Sequence, residues 1–167
     1  DLPTYDQVVE ESHIGIADNS SRVIPILEVN QEDSESHYPV SVLSTSAAGQ
    51  HFDTQESYFG QIYLPEKYAR DDRIKAIKIQ GDSMVDVGIE NNSIVLIKTG
   101  VNFQSGTIGV VTLSHEYDWG TLCKKIIKEK DHFRLISFNS YKNYKDIVIK
   151  EDQFRYHGQV VAIYKQQ

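Results

Sequence analysis

From about residue 40 onward, short apolar runs alternate with turn residues, and few of the runs exceed six residues. This is the pattern of strands rather than helices. It predicts strands at Val40–Leu43, Ile74–Ile79, Ile94–Ile97, Ile108–Leu113, Thr121–Ile127, Phe133–Phe138, Ile147–Ile149 and Gln159–Tyr164. Breaks fall at Gly49, Gly60, Gly81, Gly88, Asn91-Asn92, Gly100, Ser105-Gly106, Gly120, Asn139-Ser140 and Gly158, because glycine and asparagine relieve the backbone where the chain turns. No long segment keeps the helical apolar period, and there are no internal repeats. The expected fold is mostly β, built of curled antiparallel β-sheets.

Residues 1–40 differ. Asp6, Glu10, Glu11, Asp18, Glu28, Glu32, Asp33 and Glu35 face a single Arg22 in charge count. Only Arg22-Val23-Ile24-Pro25-Ile26-Leu27 looks extended, and Pro25 restricts it to an edge strand or a linker. The expected organisation is an acidic linker or N-terminal extension over 1–40 and one domain over 41–167. The abrupt Asp1-Leu2-Pro3 start reads as a chain that begins within a longer protein.

Composition narrows the function. The formal net charge is −7, from 24 acidic and 17 basic residues. Without a basic stripe, such a chain is a poor candidate for gripping nucleic acid by itself. No apolar run is long enough for a membrane helix and no signal peptide is visible, so a soluble, cytoplasmic protein is expected. The lone Cys123 excludes an internal disulfide, fits a reducing compartment and reads as a small buried apolar residue. His13, His37, His51, His115, His132 and His157 are scattered without metal-ligand spacing, so no metal and no cofactor are expected. The aromatic residues Tyr58, Phe59, Tyr63 and Tyr68 read as core and interface rather than a nucleotide platform.

Three local patterns carry candidate chemistry. Gly81-Asp82-Ser83-Met84 directly follows an apolar strand, and Val85–Ile89 can start a short helix. A serine on such a bend is either a helix cap or a nucleophile with its hydroxyl free. In the second case the backbone N–H groups of Ser83 and Met84 are candidates to hold an oxyanion. In Leu122-Cys123-Lys124-Lys125-Ile126-Ile127, strand alternation puts Leu122, Lys124 and Ile126 on one face and Cys123, Lys125 and Ile127 on the other. Lys124 is then a lysine snorkelling to water or a buried amine. A free lysine, with pKa about 10.4, is neutral only about once in two thousand molecules at pH 7. A drop of roughly 3 units, within reach of burial, makes it a usable base. Alternation alone leaves Lys125 open as the alternative. The third pattern, Ser46-Ala47-Ala48-Gly49-Gln50, lies 34 positions before Ser83. It is either a plain loop or a small-residue segment able to enter a narrow cleft, with Gly49 permitting a kink.

In their joint order these patterns resemble the LexA family, which includes LexA, the CI-type repressors of temperate phages and the polymerase accessory protein UmuD. The resemblance runs over about residues 40 to 165. It includes Val87-Gly88-Ile89, Ser93–Ile97, Ser105-Gly106-Thr107-Ile108-Gly109-Val110-Val111, Leu135-Ile136-Ser137-Phe138-Asn139 with Tyr144-Lys145-Asp146-Ile147, and Gly158–Ile163. The chain departs from the family at Asn91-Asn92-Ser93, where Gly-Asp is usual, and in the longer Ser114–Gly120 connection. It departs again at Ser46, where an aliphatic residue often precedes the cleaved pair. The family's Val-Lys-Arg pattern selects Lys124 over Lys125.

The resemblance implies a self-cleaving serine peptidase with a Ser83–Lys124 dyad, Ser83 as nucleophile and Lys124 as general base, cutting its own Ala48–Gly49 bond. It implies a homodimer formed largely by the C-terminal strands, with Phe154 and Gly158–Tyr164 at or beside the interface. It also implies induction by a RecA filament in an SOS response, or control by an antirepressor. Operator DNA would be contacted only through an N-terminal helix-turn-helix domain, which has no counterpart in these residues. Alternatives are an UmuD-like accessory protein and a non-cleaving dimerisation module. A signal peptidase shares the serine and lysine logic but requires a membrane anchor.

Overall fold

A computed structural model describes residues 24–30, 36–44, 58–114 and 120–166. Ten strands form one mainly antiparallel sheet that does not close into a barrel. In chain order they are β1 (Ile26–Val29), β2 (His37–Ser44), β3 (Tyr58–Pro65), β4 (Ile74–Lys78), β5 (Ile94–Lys98), β6 (Thr107–Leu113), β7 (Thr121–Lys128), β8 (Phe133–Ile136), β9 (Ile147–Ile149) and β10 (Phe154–Gln166). A one-turn helix, α1 (Glu66–Ala69), follows β3. The sheet order is β3-β2-β4-β5-β10-β6-β7-β8-β9, with β1 added in parallel to the end of β10. The mostly β expectation holds.

Alternation explains the burial. On one face of the central strands Ile77, Val95, Ile97 and Ile163 join Met84, Ile89, Val110 and Cys123 in one core. Their chain neighbours Ala76, Leu96 and Ala162 point the other way and pack with Val42, Leu64 and Tyr68. Both faces of β4 and β5 are therefore covered, which is why these strands read as continuous apolar runs rather than strict alternation. A third core lies toward the far edge, where Val111, Ile126, Phe133, Leu135 and Ile149 meet.

Two strands run through glycines that read as breaks: Gly60 and Gly158 each lie inside a strand. Gly60 pairs with Val42 within β3, where Ile62 and Leu64 are buried while Phe59 and Tyr63 are exposed. Gly158 lies where β10 shifts register on β6 and passes on to β5, and the carbonyl oxygen of Lys98 stands 2.5 Å from where a Cβ would be. Only glycine permits that approach. β10 is consequently a 13-residue strand with β6 along its first half and β5 along its second. Gly158–Tyr164, expected at or beside a dimer interface, is interior to the sheet rather than an open edge, and Val160, Ala162, Ile163 and Tyr164 are buried.

The Pro25 segment is an edge strand. β1 runs parallel to Ile163–Gln166, with Ile24 and Val29 buried. Among the described residues, no helix is long and apolar enough to cross a membrane.

Candidate active site

The candidate nucleophile turn grows out of β4. After Lys78, Ile79 exchanges backbone bonds with the Asn92-Ser93 turn, its N–H donating to the Ser93 carbonyl and its carbonyl accepting from Asn92 N–H, both at 2.8 Å. Gly81 then takes φ +96°, a left-handed conformation that glycine adopts without strain. Its N–H donates to Asn91 Oδ1 at 2.8 Å. Asn91-Asn92 thus makes the turn here, with Asn92 at φ +71°. Met84, 1% exposed, anchors the turn in the core. A single turn of 3₁₀ helix, Val85–Val87, follows, and Met84 pairs back to Ile89 in an antiparallel bridge. Ser83 lies between the glycine kink and this anchor, half-buried. Among the described residues Ser83 Oγ makes no hydrogen bond, while the Ser83 carbonyl accepts one at 2.7 Å from the N–H of Phe138.

Lys124 lies in the middle of β7, opposite Gly109 of β6. It is 6% exposed and has the buried Ile126 and half-buried Leu122 on its own face of the strand. Burial disfavours the ammonium and pushes its pKa down, against the opposing electrostatic influence of the nearby Cys123 and Asp82. Lys125, on the other face, is only partly buried and lies 5.6 Å from the Phe138 ring centroid. Lys124 Nζ donates a 2.7 Å hydrogen bond to Ser137 Oγ. The geometry follows from the β7–β8 hairpin. Its turn closes through Glu129 N–H to the His132 carbonyl at 2.9 Å. Lys128 then pairs with Phe133 and Lys125 with Ile136, so Ser137, the first residue past the ladder, comes out next to Lys124, and the side-chain bond joins them.

β8 ends at Ile136, two residues short of the sequence expectation, because the chain there leaves the ladder and docks on the turn that carries Ser83. Phe138 N–H binds the Ser83 carbonyl, and the Phe138 carbonyl accepts from Asp86 N–H at 2.9 Å. Asn139 Nδ2 donates to the Asp82 carbonyl at 2.8 Å, while its Oδ1 accepts from the N–H groups of Tyr141 and Lys142. The Asp82 carboxylate receives Lys142 Nζ at 2.6 Å and the Tyr144 hydroxyl. These bonds, Lys142 first, hold the Asp82 carboxyl below its usual range. The Tyr144 ring centroid is 5.6 Å from Lys124 Nζ. One segment, residues 137–144, therefore touches the turn that carries Ser83 and the amine of Lys124.

Sequence reasoning does not single out Ser137, Lys142 or Tyr144. The available signal is the Glu129–His132 turn, whose register brings Ser137 next to Lys124. Ala48 and Gly49 fall outside the described residues, as do His13, His51 and His115. Cys123 is buried, and burial pushes its thiol up to about 12, so the thiol stays protonated. Among the described residues no three His, Cys, Asp or Glu side chains are grouped to hold a metal ion.

The mostly β sheet thus carries a half-buried serine on a glycine bend and a buried lysine, both held by the segment after β8. The Peptidase S24-like family model matches residues 40–161. The LexA repressor of Bacillus mycoides (strain KBAB4) is 30% identical, over 93% of this chain and 74% of that protein. The LexA repressor of Ruminiclostridium cellulolyticum is 27% identical, over 95% of this chain and 76% of that protein. That of Clostridium kluyveri is 31% identical, over 87% of this chain and 68% of that protein. The chain belongs to the Peptidase S24-like family and is a LexA-like repressor peptidase domain.

Proposed function

We propose that this chain is the self-cleaving, dimer-forming half of a transcriptional repressor, and that Ser83 and Lys124 cut its own Ala48–Gly49 bond. The observation that carries the reading is a lysine amine buried in an apolar strand, tied through consecutive residues, Ser137 and Phe138, to the turn bearing a serine whose hydroxyl has no hydrogen bond among the described residues.

The topology supports an intramolecular substrate. β2 and β4 run parallel, with Ser44 beside Lys78, so both chains leave the sheet at the same end. Ser83 is five residues beyond Lys78 and Ala48 four residues beyond Ser44. Four residues span at most about 14 Å, so the candidate bond lies within that distance of Ser44, at the end of the sheet from which the Ser83 turn also leaves.

In this mechanism neutral Lys124 takes the proton from Ser83 Oγ, and the oxygen attacks the Ala48 carbonyl carbon. Backbone N–H groups at Ser83 and Met84 are the candidates to hold the oxyanion. As the C–N bond breaks, Lys124 returns the proton to the Gly49 nitrogen. Water then resolves the Ser83 ester with Lys124 again as base. A partner that seats the scissile segment, a RecA filament or an antirepressor, sets the rate. Cleavage would part a DNA-binding N-terminal domain from this dimerising half and remove its avidity for a two-fold operator.

Incubating the purified chain at about pH 10, near the free lysine pKa, should yield fragments 1–48 and 49–167 by mass spectrometry. Ser83→Ala and Lys124→Ala should each stay intact with unchanged circular dichroism. An uncut wild-type chain after days at alkaline pH would refute the active dyad. Cutting by Lys124→Ala but not by Lys125→Ala would move the base to the neighbouring lysine.

A further inference from the structure

We infer that Ser137 is a positioning residue for the self-cleavage reaction, holding Lys124 Nζ in the orientation from which it exchanges a proton with Ser83. The inference rests on the dyad reading above and adds a third side chain to it.

Three observations converge. First, the 2.7 Å bond from Lys124 Nζ to Ser137 Oγ is the hydrogen bond that anchors this amine among the described residues. A lysine side chain has four rotatable carbon bonds, and an unanchored amine samples many positions. Holding it at one point is what raises the fraction of molecules ready to react. Second, Ser137 is itself fixed. Residues 133–136 are locked in the β8 ladder, and Phe138 is bonded to Ser83 and Asp86 through its own backbone. The hydroxyl thus sits between two rigid attachments, one leading to the base strand and one to the nucleophile turn. Third, no other side chain among the described residues supplies the function. β6 presents Gly109 opposite Lys124 and contains no ionisable residue. Tyr144 approaches through its ring, and its hydroxyl is committed to Asp82.

The bond also bears on when the amine is neutral. The ionisable groups around Lys124 are Cys123 on its own strand, Asp82 from the nucleophile turn, and Tyr144 and Lys142 from the segment after β8, the last paired with Asp82. The Cys123 thiol stays protonated. An ammonium donates a stronger hydrogen bond than an amine does, so Ser137 Oγ favours the charged form as well as fixing its place. Removing that hydroxyl should make the amine easier to neutralise while leaving it less well placed. The two effects act on different features of the pH–rate profile.

The test compares self-cleavage rates of the full chain across pH for wild type, Ser137→Ala, Ser137→Thr and Ser137→Val, with Ser83→Ala as the blank. Thr keeps the hydroxyl, and Val has the shape of Thr without it. We expect Ala and Val to lower the alkaline plateau by about 10- to 100-fold, the scale of losing a positioned reactant. We expect their midpoint to fall by roughly one pH unit, as loss of a charge-assisted hydrogen bond implies. Thr should restore both plateau and midpoint. Wild-type plateau and midpoint in Ala and Val, beside normal wild-type cutting, would overturn the role of Ser137 and leave the dyad standing. A Thr variant as slow as Val, or a slower plateau with an unmoved midpoint and a lower melting temperature, would mark Ser137 as merely structural. A wild-type chain that never cuts would remove both readings together.

Discussion

Replacing Lys124 with methionine should make the domain more stable at neutral pH while abolishing self-cleavage. Lys124 is 6% exposed in a strand whose same-face neighbours are Leu122 and Ile126, and a side-chain hydrogen bond to Ser137 compensates its burial. Two effects compete. Loss of that bond costs about 0.5–1.5 kcal/mol while the amine is neutral and about 1.5–3 kcal/mol while it is charged, and the hydroxyl left behind belongs to a half-buried residue that water can reach. Against it stands the cost of keeping an amine in an apolar site, which is met either by desolvating the ammonium or by giving up its proton. Replacing even a paired buried charge by apolar groups of similar volume is often neutral or stabilising by about 1–4 kcal/mol, and among the described residues Lys124 has no ion-pair partner of its own to lose. Methionine fits because it is unbranched and of similar length. The second effect wins, and the net gain expected is about 1–2 kcal/mol, or roughly 2–8 °C in Tm for a chain of this size.

The pH dependence carries a further signature. Burial holds the folded-state pKa of Lys124 below its unfolded value. Between the two pKa values the unfolded chain binds more protons than the folded one, so stability rises with pH across that window. Below the folded pKa both states are protonated and the full penalty of the buried charge applies. The Lys124→Met substitution removes the titration. The advantage of the variant should therefore be largest below the folded pKa and should shrink as pH climbs toward the unfolded value. Thermal melts of Lys124→Met and of a cleavage-dead Ser83→Ala reference, taken over several pH values, read this directly. A variant less stable than the reference at neutral pH, or an advantage that grows with pH, would refute the claim that Lys124 is buried at a cost.

Two further outcomes are expected. Gly158→Ala forces a Cβ to within 2.5 Å of the Lys98 carbonyl oxygen, a backbone atom that β5 holds in place. Thermal melts should show a loss of roughly 1–3 kcal/mol or more, and a neutral effect would mean that the β10 crossing is looser than drawn. Sedimentation at micromolar concentration should give a homodimer; with β10 interior, the open edges at β9, where Val148 is 50% exposed, and at β3 are the places where substitutions should weaken it, and a monomer throughout would exclude the dimer.

Much of the sheet is legible because alternation and turn chemistry agree over most strands, and Ile147–Ile149 matches its strand to the residue. The misses are places where one residue type serves two purposes. Glycine marks turns, and at Gly81, Gly88 and Gly106 it does so with positive φ. Gly60 and Gly158 are inside strands, the latter because another backbone passes close, and a pattern confined to the local chain has no access to that. The same limit applies to the site. Ser83 and Lys124 stand out from their own neighbours, a glycine bend and an apolar strand. Ser137 has no such local mark. Its relation to Lys124 exists only once the hairpin register is fixed by the turn at Glu129–His132. Phe138 reads as a strand residue because its apolar character fits one, yet its N–H goes to Ser83 instead of β7.

Asp82 shows what the segment after β8 contributes electrostatically. A carboxylate adjoining Ser83 stabilises the ammonium of Lys124, which works against a neutral base. Left unpaired, it would oppose the effect of burial. Instead Lys142 Nζ sits 2.6 Å from one carboxylate oxygen and the Tyr144 hydroxyl donates to the other. The negative charge is thereby balanced by a cation outside the apolar strand, and its pull on Lys124 is reduced. Burial remains the larger influence, and the amine is pushed toward neutrality. The carboxylate is the grip by which residues 142 and 144 fasten the turn that carries Ser83, alongside Asn139 on the Asp82 carbonyl. A neutral residue at position 82 would lower the electrostatic cost to the base and, in the same stroke, release the contacts that set where Ser83 stands. Placement of the serine and the charge balance around the lysine thus draw on one short segment, in which Lys142, Tyr144 and Asn139 all bond to Asp82.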